Sequence, residues 1–203
     1  MPRYARHKDF VENLWTKYRP YADPNFKRKI ARDFHHGFWE MYLSCAFIRK
    51  GFNLVPRSKR PEGGPDICIK NGDVNIWIEA VAPVKGDGPD AIPEMFSSNR
   101  GFLVPEKGIV LRYIHVIKKE YSKYKRYCID GIIKDKDRYI IAINGRKVPF
   151  AFLDDEEDEV PLIMKTLFPF GDSQTVVDAK TLTVTRSGYE KRTTVVKKLG
   201  RSE

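Results

Sequence analysis

Two short strand-like runs, Asp66 to Lys70 and Val74 to Val81, are separated by Asn71-Gly72. Asn-Gly is a strong hairpin signal, because both residues tolerate the positive φ of a tight turn. With Asn71 and Gly72 as a two-residue loop, Lys70 faces Asp73 and Asp66 lies opposite Trp77. Side chains alternate between faces along a strand, so Glu79 then shares a face with Trp77 and Asp66. The Asp66–Glu79 relation is the diagonal one, with Cα atoms about 7–8 Å apart. Two carboxylates at that spacing can ligate one divalent ion between them. A slip of one residue would send them to opposite faces.

The surroundings sharpen the expectation. Glu79 stands in Ile76-Trp77-Ile78-Glu79-Ala80-Val81-Ala82. A carboxylate in so apolar a run is costly to bury unless it is paired or bound to a metal. On an edge strand it would instead face water. Glu40 repeats the anomaly: histidines aside, it is the only charged residue between Asp33 and Arg49. On a helix its neighbours at i+3 and i+7 are Leu43 and Phe47, which are core-type residues. Glu40 either points along an inward face or sits at a helix edge beside a lysine or arginine.

The rest of the chain supplies the frame. Asp9 to Tyr18 reads as a short helix ended near Pro20, and Pro24 opens a helical run to about Lys50, stopped by Gly51. Phe52 to Val55 is strand-like, and Arg57 to Gly64 is a basic loop. Pro83 to Pro105 is a long Gly/Pro-containing loop, of a length that is often functional. A basic helix runs from Lys107 or Gly108 to about Tyr127, followed by a strand at Tyr139 to Ile143. The acidic run Asp154 to Glu159 leads into a helix near Pro161 to Leu167. Thr175 to Thr185 reads as a strand or hairpin arm, and the tail from Lys191 is basic. This order predicts one α/β domain over 1–203, with a mixed central β-sheet flanked by helices.

Composition narrows the class. Lys plus Arg is 37 against 27 Asp plus Glu, a net charge of +10. That excess favours a polyanionic partner, nucleic acid first. The basic start (Arg3, Arg6, His7, Lys8) is not a secretory signal, and no run approaches the roughly 18 apolar residues needed to cross a bilayer. Cys45, Cys68 and Cys128 have no CxxC spacing, which predicts reduced thiols and a cytoplasmic location. His35 and His36 are adjacent and do not face the same way on a helix, so they do not form a zinc pair.

Glu40, Pro65-Asp66 and Glu79-Ala80-Val81 together resemble the PD-(D/E)XK nuclease superfamily, the restriction-endonuclease-like fold. Glu40 matches its helical glutamate, Pro65-Asp66 its PD element and Glu79-Ala80-Val81 its (D/E)XK element. The resemblance covers roughly Ala31 to Ile143, with 144–203 as additional C-terminal elements. It implies hydrolysis of nucleic-acid phosphodiester bonds, DNA more than RNA. It implies Mg²⁺ or Mn²⁺ held by Asp66, Glu79, the Ala80 carbonyl and Glu40. The departure is Val81, which stands where the family has lysine. Members of the family that lack it supply it from elsewhere, commonly the second core helix. Arg112, His115, Lys119 and Lys123 recur at three- and four-residue steps on that helix and so share a face. Lys119 is the expected catalytic cation, with Lys85 as a further candidate. Arg57, Lys59, Arg60, Arg112 and Lys123 are the expected phosphate contacts. If no cation reaches the site, a nucleic-acid-binding relative without catalysis is implied; a homodimer stays open.

Overall fold

Small polar residues and glycines set the helix boundaries. In the computed structural model, which describes residues 3–89, 91–94, 104–151, 160–168, 170–178, 180–181 and 183–191, three helices come first. They are α1 (Arg3–Tyr18), α2 (Phe26–Arg32) and α3 (Phe34–Arg49). The single helical run expected from Pro24 to Lys50 is therefore two helices. Asp33 interrupts it with extended backbone (φ −135°, ψ 87°), and its side chain accepts the His36 N–H at the start of α3. An aspartate that caps a helix competes with continuing one. Gly51, at φ 82°, ends α3 as expected.

The hairpin follows with one correction. Strands β1 (Asn53–Leu54), β2 (Ile67–Asn71) and β3 (Val74–Val81) pair antiparallel, and Asn71 lies opposite Val74. The loop is Gly72-Asp73, not Asn71-Gly72. Gly72 has φ 56°, while Asp73 keeps a negative φ. A turn needing positive φ only at its first central residue puts glycine there. The pairing moves by two residues rather than one, so each side chain keeps its expected face. Extending the register by one step sets Asp66 directly across from Glu79 instead of diagonally.

A long helix, α4 (Glu106–Ile129), carries the chain to β4 (Arg138–Ile143), which pairs parallel to β3. The four-stranded mixed sheet has the order β1-β2-β3-β4. One face, through Leu54, Ile67, Ile69 and Ile78, packs on Leu43, Phe47 and Ile48 of α3. The other, through Cys68 and Trp77, packs on Tyr127 at the end of α4 and on Ile133 in the turn that follows it. Buried Asp137 secures this second layer by accepting the Trp77 indole N–H and the backbone N–H groups of Asn75 and Lys134. Helix α5 (Leu162–Leu167) packs against the start of α4, and β5 (Phe170–Val177) pairs with β6 (Val184–Lys191) in a separate hairpin. The acidic run 154–159, most of the second half of the 83–105 loop and the tail past Lys191 lie outside the described residues. Among the described residues, no helix is long and apolar enough to cross a membrane.

Gly37 controls how closely α2 approaches α3. A Cβ there would lie 2.8 Å from the Ile30 Cβ and 3.1 Å from its Cα. Gly37→Ala is expected to push α2 outward and cost about 1–3 kcal/mol, read by urea unfolding. An unchanged midpoint would show that the contact is not tight.

Candidate metal centre

Each carboxylate of the centre arrives from a different element. Glu40, on α3, is 3% exposed: of its one-turn neighbours, Leu43 packs on the sheet, Ser44 is buried and Gly37 meets Ile30 of α2. Asp66 stands one residue before β2, and Glu79 lies in the middle of β3 at 5% exposure. Each oxygen of Glu40 and Asp66 is committed. Glu40 Oε1 accepts the Tyr18 hydroxyl, and Oε2 accepts Lys29 Nζ at 2.8 Å. Asp66 Oδ2 accepts the Ala80 N–H at 3.0 Å, and Oδ1 accepts the same Lys29 Nζ at 2.9 Å. His36 Nε2 lies 4.0 Å from Asp66 Oδ2. One donor atom each of His36, Glu40 and Asp66 lies within 4.8 Å of the others.

A second group flanks the first. Lys123 Nζ lies 2.6 Å from Glu79 Oε1 and 2.6 Å from Glu120 Oε2. The Tyr127 hydroxyl reaches the other Glu79 oxygen at 3.4 Å. Glu120, Lys123 and Tyr127 follow at three- and four-residue steps and so share one side of α4. Two ion-paired groups result, Lys29 with Glu40 and Asp66, and Lys123 with Glu79 and Glu120, which together make up the acidic layer.

The charges perturb one another. Burial, then the neighbouring Asp66 charge, push the Glu79 carboxyl up to about 7. Burial and Asp66 likewise raise Glu40. Burial alone would lower the Lys29 ammonium, but Asp66 and Glu40 outweigh it and hold it above the ordinary lysine range. For Lys123 burial is again outweighed, by Glu120 and Glu79. Burial, then Glu79, lift the Tyr127 phenol to about 12, and burial lowers His36.

The residues singled out in the sequence separate here. Glu40 and Asp66 meet through Lys29, and Ala80 donates its N–H to Asp66. Glu79 faces Asp66 across the hairpin but pairs with Lys123 and stands outside the His36, Glu40 and Asp66 group. Lys119 is exposed on α4, and among the described residues the lysines within 4 Å of these carboxylates are Lys29 and Lys123. Lys119 misses because Glu120, one residue on, holds the buried position and turns Lys119 about 100° away. Lys123, expected at phosphates, belongs to the acidic layer. Arg60 donates to the backbone oxygens of Pro65, Asp66 and Tyr21 and so fixes the loop that presents Asp66. Arg57 pairs with Asp23 at 3.3 Å and donates to the Pro61 carbonyl. Arg112 donates to the Lys85 carbonyl, and Lys85 pairs with Glu94. Lys59 is exposed.

Sequence reasoning missed Lys29, His36 and Glu120. Lys29 sits in a run of basic residues with nothing to mark it. The signals for the other two were present: Glu120 is the lone acid in the helical stretch 107–129, and His36 is four residues before Glu40. No family model, curated protein or solved structure matches the chain.

Glu79 generates a pH test. Its folded-state pKa lies above its ordinary 4.5. The folded chain therefore holds that proton more tightly than the unfolded one, and the contribution to stability is lost as pH rises from about 4.5 to about 7. The stability of wild type relative to Glu79→Gln should fall across that window in urea titrations. A constant difference would place Glu79 in water, and a rising one would show that the Lys123 pair outweighs burial.

Proposed function

We propose that the chain is a divalent-metal-dependent nuclease of the PD-(D/E)XK, restriction-endonuclease-like kind, hydrolysing phosphodiester bonds of nucleic acid, DNA before RNA. The observation that carries this reading is the convergence of Glu40, Asp66 and Glu79, one from a helix and two facing each other across a hairpin. Buried Glu40 and Glu79, with half-buried Asp66 across the hairpin from Glu79, suit a centre that gains a divalent charge. The sheet with α3 on one face and α4 on the other is compatible with that fold.

The donor set fits the ion. Oxygens of Glu40, Asp66 and Glu79 suit Mg²⁺ or Mn²⁺, and the Ala80 carbonyl is a further candidate ligand. Such an ion, when bound, polarises a phosphate and lowers the pKa of a bound water. The protein's own groups do the rest. Tyr18 and the Ala80 N–H each hold one carboxylate oxygen and so aim the other. Lys123 supplies from α4 the cation that Val81 lacks and is placed to offset charge gathering on a phosphate near Glu79. Exposed Lys59 and Lys119, with the net charge of +10, favour salt-sensitive contacts to the phosphate backbone.

The test uses purified chain with labelled DNA and RNA in Mg²⁺ or Mn²⁺. Cleavage should stop with EDTA and fall to background in Asp66→Ala. Lys123→Met, checked for folding by circular dichroism, should slow it about 10²–10³-fold. Lys119→Met should change it less than about threefold, since it touches only the strand. Equal cutting by Asp66→Ala would sink the proposal. Salt-sensitive retention of DNA without cutting in either ion would leave a nucleic-acid-binding protein on the same frame.

A further inference from the structure

The two oxygens that receive Lys29 are preset to receive an ion. Glu40 Oε2 and Asp66 Oδ1 both point at Lys29 Nζ, while their sister oxygens are tied to Tyr18 and the Ala80 N–H. The lysine is therefore a stand-in positive charge between two fixed acceptors. Its side chain is 39% exposed, so its stem reaches the site from the solvent side. A divalent ion entering there would double the compensating charge.

His36 approaches the same Asp66 carboxylate at its other oxygen. It lies four residues before Glu40 and therefore on the same side of α3. Its Nε2 is 4.0 Å from Asp66 Oδ2, and the donor atoms of all three residues fall within 4.8 Å of one another. Ligands on one ion with bonds of 2.0–2.6 Å lie roughly 3–5 Å apart, so little movement is needed. His35, next in the chain, instead sets its ring edge-on against Phe34.

We propose that His36 is a ligand of this centre, which therefore selects a first-row transition ion that accepts imidazole, such as Mn²⁺ or Co²⁺, over Mg²⁺. The inference rests on the metal-centre part of the proposed function and adds the class of ion. Mg²⁺ prefers an all-oxygen octahedron and sheds water reluctantly, whereas imidazole nitrogen strengthens binding of the later divalent ions. Lys29 is the group displaced on loading.

The experiment titrates EDTA-stripped full-length protein with Mg²⁺, Mn²⁺ and Co²⁺ by calorimetry, and follows the visible absorption of Co²⁺. Wild type should bind Co²⁺ at least about tenfold more tightly than Mg²⁺. His36→Gln should lower Co²⁺ affinity about tenfold and move its absorption band, while leaving Mg²⁺ affinity within about twofold. His35→Gln should change nothing. In wild type, sub-stoichiometric Mn²⁺ should broaden the NMR signals of one imidazole among the four histidines first, and that signal should be absent from His36→Gln. The inference is overturned if His36→Gln keeps the Co²⁺ affinity and spectrum, or if Mn²⁺ broadens no histidine selectively. Mg²⁺ and Co²⁺ binding that are both lost in Asp66→Ala and both indifferent to His36→Gln would overturn it and leave the nuclease proposal standing. Co²⁺ binding that depends on His36 in a protein that cuts nothing would do the reverse. No divalent binding at all would overturn both.

Discussion

Glu40, Glu79 and Glu120 are all withdrawn from water in this fold, with Asp66 half-buried beside them. An isolated buried charge costs several kcal/mol even after relaxation, so each needs a partner of opposite sign. Here Lys29 serves Glu40 and Asp66, and Lys123 serves Glu79 and Glu120. The placement of α2 and α4 is tied to that need. Helix α2 is short and basic, and little of it is buried beyond Phe26 and Ile30. Its position beside α3 matters because Lys29 reaches across to two acids. The absence of a side chain at Gly37 lets it come that close.

The same arrangement explains which parts of the fold were legible in the sequence. The hairpin, the helix ending at Gly51, the basic helix α4 and the strand before Asn144 were readable because each is set by local rules of turn, cap and periodicity. The pairing register was misread by two residues, since Asn-Gly and Gly-Asp are both acceptable turns and the choice depends on φ at one position. The face of each side chain survived because a shift of two preserves alternation. The break at Asp33 was lost among flanking helix formers, although aspartate before a helical run is itself a cap signal.

The site was half legible. Glu40 and Glu79 stood out as acids in apolar runs, and Asp66 because the hairpin register set it on the face of Glu79. Their counter-charges did not, because a lysine is ordinary on any basic helix. Choosing Lys119 over Lys123 required knowing which side of α4 meets the sheet. Tyr113, Val116, Glu120 and Tyr127 define that side, and it includes an acid that a purely apolar stripe would not lead one to expect. Arg57 and Arg60 carried the loop's basic character in sequence, yet they are spent on Asp23 and on backbone carbonyls. Charge in a sequence marks what a segment can attract, but internal acceptors have the first claim on it.

Trp39, the residue before Glu40, donates its indole N–H to the Ala142 carbonyl, 103 residues further along the chain. Lys29 meets Asp66 across 37 residues, and Lys123 meets Glu79 across 44. Contacts of such separation form only after loop-closure entropy has been overcome, whereas the hairpin and the single helices can form locally. The parallel β3–β4 pair closes only when α4 has crossed over the sheet. The acidic layer therefore cannot exist in a partly folded chain, where its carboxylates remain hydrated and apart. The ion pairs of the acidic residues form together with the long-range contacts of the fold rather than ahead of them.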